Sequence, residues 1–243
     1  MSYGLYAAFL GMRSRQRTLD AQANNIANAS TVGFKAERLT YSSIEAKKKS
    51  DSTQQTLVTG VQTSSQTDFT PGTIRETGRS LDVSIRGDAF LEIQTPKGTR
   101  YTRAGNLTLD SAGQLVTLSG DLVVGKKGPI TIPKGKEVSI GKDGSLNADG
   151  ASFEKLKLVH FDKPVTALKK EGATLFAATG TEEAKDSTNS EVLQGTLETS
   201  NVNSVSEMVK MINNNREFES LQRSVSLLMN DLGRKISSEI GRL

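Results

Sequence analysis

The chain has 243 residues, 31 Lys plus Arg against 27 Asp plus Glu, a net charge of +4, 35% apolar residues and only 5% aromatic ones. The charges are spread along the whole length, which is the pattern of a solvated surface and not of a nucleic-acid footprint. With no cysteine, disulfides, thiolate metal sites and cysteine nucleophiles are excluded, and no stretch approaches the roughly 18 apolar residues of a membrane span.

The first predicted element is a helix over residues 3–28. Apolar residues recur every seven positions at Leu5, Met12, Leu19 and Ile26, with Phe9 four residues after Leu5 and Ala23 four after Leu19. Such a repeat holds one stripe against a partner helix in a coiled-coil seam. A one-sided rod of roughly 40 Å needs that partner. The opening MSYGLYAAFLGMRSRQR lacks the basic start, apolar run and cleavage site of a cleaved signal. The chain is therefore expected to be cytoplasmic, or exported without a cleaved signal.

The helix runs into NNIANASTVGFK, residues 24–35. Asparagine is a poor interior helix residue because its amide competes with the backbone for hydrogen bonds. Gly33 is expected to take a positive φ at the helix exit, with Phe34 and Lys35 leading into extended chain. Residues 36–74 then read as an extended polar connecting segment, rich in Ser, Thr and Gln over 40–68.

From residue 75 to 178 the apolar period changes to two. SLDVSI alternates Leu81, Val83 and Ile85 with polar residues; AFLEIQ, RYTRAGNLTL, QLVTL, PITIP, EVSI and KLKLVHF follow, separated by Gly- and Asp-containing turns. This predicts an antiparallel β domain of many short strands. Residues 179–200 read as a polar return.

Residues 201–243 predict a second long helix. Ser204 and Glu207 have the spacing of a capping box, and Met211, Phe218, Val225 and Leu232 repeat every seven, with Leu221 and Leu228 beside them. Val205, Met208, Val209, Ile212, Leu227, Met229, Ile236 and Ile240 add further apolar faces. The fold class is therefore α+β: terminal helices form a coiled-coil-like α domain, with an all-β antiparallel domain inserted between them.

Catalytic chemistry has few candidates. The single histidine, His160, shares a strand face with Leu156 and Leu158, which suits a structural or surface role. No G-x-S-x-G, P-loop or G-x-G-x-x-G occurs. SLNADG imitates the start of a calcium loop, but Leu156 stands where the twelfth-position glutamate belongs. Asp82 and Asp88 read as strand and turn residues. Arg13, Arg15 and Arg17 fall on different sides of a helix, and with Lys47, Lys48 and Lys49 they make no nucleic-acid surface. No catalytic, cofactor or metal site is expected.

NNIANASTVGFK closely resembles the N-terminal motif of the bacterial flagellar rod and hook axial proteins, and GTLETSNVNSVSEMVKMI, residues 195–212, resembles their C-terminal motif. TGRSLDVSIRGDAF and YTRAGNLTLDSAGQLVT resemble the family's central β region, although Ala89 and Leu91 stand where glycine and an aromatic are common. The short length and the run from GPITIP to KLKLV resemble a proximal rod member more than the usually longer distal one. The resemblance implies a non-enzymatic subunit, exported largely unfolded by the flagellar type III apparatus. It would assemble with copies of itself and adjoining rod proteins into a helical tube across the periplasm, helices inside and β domain outside, with no nucleic-acid partner.

On this reading the subunit interface is expected at Leu5, Phe9, Met12, Leu19, Asn25, Ile26, Asn28, Gly33 and Phe34, and at Asn201, Val205, Met208, Met211, Ile212, Phe218, Leu221, Val225, Leu228 and Leu232. The amides of Asn24, Asn25, Asn28, Asn201, Asn203 and the run Asn213, Asn214 and Asn215 are candidates to fix register between subunits, because a slipped partner leaves them unsatisfied; the alternative is that Asn28 and Gly33 only end the helix and the others face solvent. Asn214 and Asn215 are expected to face solvent. Two alternatives stand beside the proximal rod: another axial protein of the same family, and a cell-envelope carbohydrate-binding or enzymatic β domain with oligomerising helices. Converging carboxylates in a β-domain cleft would mark the second.

Overall fold

The computed structural model describes residues 2–48, 55–133 and 138–240, with side chains for 8–42, 63–133, 138–230 and 233–234. Helix α1 (Ser2–Ala27) is followed by strands β1 (Glu37–Lys48), β2 (Gln55–Thr67), β3 (Ile74–Glu76), β4 (Val83–Arg86), β5 (Phe90–Thr95) and β6 (Gly98–Thr102). Next come β7 (Thr108–Leu109), β8 (Leu115–Val116), β9 (Leu122–Gly125), β10 (Gly128–Pro129), β11 (Val138–Ile140), β12 (Ser145–Ala148), β13 (Ala151–Lys155) and β14 (Leu158–His160). A short α2 (Pro164–Ala167) precedes β15 (Leu168–Glu171), β16 (Leu175–Ala178), β17 (Lys185–Asp186), β18 (Glu191–Gln194), β19 (Thr196–Glu198) and the long α3 (Ser204–Ile240). The chain divides into a helical unit, Met1–Ala27, Glu37–Gln66 and Asn203–Leu243, and a β body, Asn28–Ala36 and Thr67–Val202. The fold class is the expected α+β, with N- and C-terminal helices and a central antiparallel β region.

In the helical unit α1 packs along α3 in the opposite direction: Arg15 pairs with Glu217 at 2.7 Å, and Leu19 and Ala23 border Met211 and Asn215. Residues 37–67, expected as extended connecting chain, supply β1 and β2, which pair in a two-stranded sheet. A two-stranded sheet is marginal by itself. Here α1 supports it through Ser14 to Thr63 (3.1 Å) and Thr18 to Tyr41 (2.5 Å), on a face of α1 adjacent to the one that meets α3. The cap of α3 is Asn203, not the expected Ser204. The Asn203 carboxamide oxygen accepts from the Ser206 N–H (3.0 Å), and Glu207 pairs with Lys210 (2.6 Å) instead of reaching back.

The β body is built around β5. Strand β6 pairs along one edge, while β14 (at Phe90 and Leu91) and β9 (at Ile93 and Gln94) share the other. Because successive strand residues point to opposite faces, Leu91 and Ile93 enter one apolar cluster with Val83, Leu107, Leu115 and Val123, and Phe90 enters another. The second is aromatic: Phe90 meets Phe69 and Phe176 edge-on at 5.6 and 5.9 Å, and Tyr101 meets Phe161 at 5.1 Å. The return segment contributes strands too, β18 pairing β4 and β19 pairing β3.

Candidate assembly site

The helical unit carries most of the candidate interface. Met12, Leu19 and Ile26 are half-buried, as are Met211, Phe218, Leu221 and Val225 of α3. Phe9 instead lies 56% exposed, on a face of α1 otherwise formed by Arg13, Gln16, Asp20 and Asn24. The side chains of Leu5 and Leu232 lie outside the described residues.

On α3, Val205 (69% exposed), Met208, Val209 and Ile212 (54%) follow at helical spacings of three and four and form one stripe. That stripe is roughly a third of a turn from Met211, Phe218 and Val225. The helix thus has a second apolar stripe, which borders the groove beside α1 at Ile212 and is exposed at Val205, Met208 and Val209. Past Ile212 the stripe becomes charged, with Arg216 and Glu219 bordering the groove beside α1 and Arg223 exposed beyond them, before the exposed Leu227.

Asn25, Asn28, Asn214 and Asn215 make hydrogen bonds within the chain. Asn25 is buried, and both ends of its amide are engaged by one residue: its Nδ2 donates to the Glu37 carbonyl and its Oδ1 accepts from the Glu37 N–H, each at 2.9 Å. This imitates a strand pairing and ties the end of α1 to the start of β1. Asn28 accepts from Thr31 through both its carbonyl (3.1 Å) and its side chain (3.2 Å) as the helix ends. Asn214, expected in solvent, bridges to α1: it donates to Gln22 (3.0 Å) and accepts from Arg15 (3.0 Å). The expectation fails because Asn214 lies next to the α1-facing stripe, half a turn from the open one. Asn215 is exposed and donates to Glu219 at 3.1 Å.

The β body holds a second constellation, a clasp of three segments distant in sequence. Asn201 is its hub, accepting from the Ala36 N–H (2.8 Å) and donating to the carbonyls of Asp68 (2.8 Å) and Thr70 (3.1 Å). Lys35 is fully buried; its Nζ donates to Glu198 Oε1 (2.5 Å) and to the Thr70 carbonyl (2.9 Å). Glu198, buried as well, accepts from the Gly72 N–H (2.9 Å) on Oε1 and lies 3.6 Å from Arg103 through Oε2. Arg103 is held by the Ile85 and Gly87 carbonyls, with its guanidinium over the Phe90 ring at 4.9 Å. Burial draws the Lys35 ammonium below the usual lysine range, and Glu198 opposes that shift.

Backbone geometry explains the glycines of this clasp. Gly33 has φ +68°, as expected, its N–H donates to the Glu198 carbonyl (2.8 Å), and a Cβ there would fall on the Ala104 backbone nitrogen. At Gly72 a Cβ would strike the Thr199 carbonyl oxygen. Gly33 and Phe34 are therefore buried inside a single chain, and Asn201 is half-buried. The opening and closing motifs are complementary: TVGFK and LETSN are each other's binding partners. Periodicity could not reveal this, since it pairs residues within an element, not across 163 positions.

The rest of the β body offers charge pairs. A cleft lined by Lys126, Lys142, Lys155, Lys157, Asp143, Asp186 and Glu191 has each acid opposite a cation: Asp143 with Lys155 (2.9 Å), Asp186 with Lys126 (3.8 Å) and Glu191 with Arg86 (3.7 Å). Hydrogen bonds from Lys155 and Ser145 hold the Asp143 carboxyl well below the usual carboxylate range. His160 faces Asp162 at 3.5 Å, and Asp162 is tied to Lys185. Among the described residues no cluster of acids and histidine could hold a metal, and no helix is long and apolar enough to cross a membrane.

Comparison with known proteins accounts for all three regions. Residues 5–35 match the family described as flagella basal body rod protein, 84–148 the flagellar hook protein FlgE/F/G D1 domain, and 193–227 the flagellar basal body rod FlgEFG protein C-terminal. The chain is 35% identical to the flagellar basal-body rod protein FlgF of Escherichia coli (strain K12), over 94% of this chain and 96% of that protein. It is 33% identical to FlgF of Rhizobium meliloti (strain 1021), over 95% and 93%, and 33% identical to FlgG of Bacillus subtilis (strain 168), over 93% and 95%. With the three matches in order and the relatives spanning the same length, the chain belongs to the FlgE/F/G family of flagellar basal-body rod and hook proteins and is most like FlgF.

Proposed function

We propose that this chain is a structural subunit of the flagellar basal-body rod, without catalytic activity, occupying the proximal part of the rod. The observation that carries the reading is the open apolar face of α3. Val205, Met208 and Val209 are exposed beside the stripe that α1 covers, and Ile212, 54% exposed, borders the groove between the two helices, so the helix pair has apolar surface left for a second helix pair. A rod needs heterologous contacts that do not close, in which one patch meets a different patch on the next subunit. Two distinct apolar stripes on one helix meet that requirement, and neighbouring helices would complete a coiled-coil-like seam around Met12, Leu19 and Ile26 and around Met211, Phe218 and Val225.

The subunit would reach its place through the flagellar type III export apparatus and stand in the periplasm among copies of itself and adjoining rod proteins, with the helices inside and the β body outside. Similarity to both FlgF and FlgG leaves the proximal position resting on the FlgF relatives. The test is to delete the gene and isolate basal bodies from complemented cells. The proposal expects the chain in the rod fraction, below the distal rod protein, and no rod beyond it in the deletion. A deletion strain with complete rods and normal motility would overturn it.

A further inference from the structure

Residues 28–36 occupy an unusual place. In sequence they join α1 to β1, both of the helical unit, yet by their contacts they belong to the β body. They dock there through polar contacts: the Gly33 N–H on the Glu198 carbonyl, the Ala36 N–H on Asn201 and the Lys35 ammonium on Glu198 and Thr70, with the carbonyls of Phe34, Lys35 and Ala36 accepting from the Asn201 N–H, the Lys170 ammonium and the Asp68 N–H. Phe34 is fully buried but is a member of neither apolar cluster; its ring is covered by the Lys170 ammonium at 3.6 Å. Both clusters are built from residues 69–192 and are complete without this segment.

The ionic contact is balanced rather than strong. Two buried cations, Lys35 and Arg103, share one buried carboxylate, with Asp68 and Asp88 adding weaker attraction. Glu198 Oε2 and Arg103 Nε have no hydrogen-bond partner among the described residues. Desolvating such a group costs about as much as the pairing returns. If Lys35 withdraws, Glu198 keeps Arg103, so the β body retains a paired carboxylate. Docking of the segment therefore has an alternative state that leaves no charge buried alone.

We propose that residues 31–36 form a strap that docks on and releases from a folded β body, with Lys35 and Glu198 as its latch. Release frees the nine residues between α1 and β1 while strands β4 to β16 stay intact. This goes beyond the rod reading, because the strap is a property of one chain and its test needs no assembly.

The test is amide hydrogen exchange on the full-length protein, comparing wild type with Lys35→Met and Gly33→Val. The first removes the latch charge, and the second blocks docking by backbone clash without touching a charge. Both are expected to speed exchange at Gly33, Ala36, Asp68 and Gly72 by about tenfold or more, while Leu115 and Ile130, paired across the β body, keep wild-type protection. Equal acceleration of strap and β-body amides, failure of both variants to fold, or unchanged protection of the strap would each overturn the proposal.

Discussion

At Asn25 an amide placed near the end of a helix takes the role of a strand partner. Replacing it by alanine leaves both the N–H and the carbonyl of Glu37 without their partner, and the expected cost is about 1–3 kcal/mol. Because both bonds are made inside one chain, the loss should appear in chemical denaturation of the isolated protein. At Gly33 any side chain meets two obstacles at once, the positive φ and the Ala104 backbone. Gly33→Val is expected to weaken the docking of this helix exit by at least about 1 kcal/mol, read as faster amide exchange at Ala36 and Asp68. Gly72→Ala should act similarly through the Thr199 carbonyl although the φ at Gly72 is ordinary, which separates close approach from backbone strain.

The terminal helices were legible because a repeat of seven is a property of each element alone: Met12, Leu19, Ile26, Met211, Phe218 and Val225 all turn away from solvent. Phe9 did not follow, because α1 also presents a face to β1 and β2, and that rotates the exposed side onto Phe9. Alternation revealed β4 and β5 in the same way. The pairing of β1 with β2 was hidden, since their Ser-, Thr- and Gln-rich sequences carry no apolar period. The clasp was equally hidden, because Lys35 and Glu198 are ordinary charged residues until the fold buries both. For α3, Arg223 is exposed beyond Ile212. Arg223→Ala should leave the stability of the isolated protein within about 0.5 kcal/mol of wild type, as for other exposed positions, which thermal unfolding can measure.

As a whole the chain divides its tasks. The β body is stabilised by two apolar clusters and also buries an ionic clasp, all within one chain. The helical unit instead leaves a row of large apolar side chains on α3 in water, which costs roughly 1.5–3 kcal/mol for each side chain that burial would otherwise remove. A protein that acted alone would gain from polar residues at those positions; one that assembles recovers the cost on meeting its neighbours. The decisive experiment is Val209→Asp, introduced in place of the wild-type gene, with basal bodies isolated from the cells and the purified protein melted in parallel. Since Val209 is 54% exposed and points away from α1, the isolated protein should melt within a few degrees of wild type while cells lose assembled rods and motility. Normal rods and normal swimming in cells carrying Val209→Asp would contradict the assignment of the open α3 face to subunit packing.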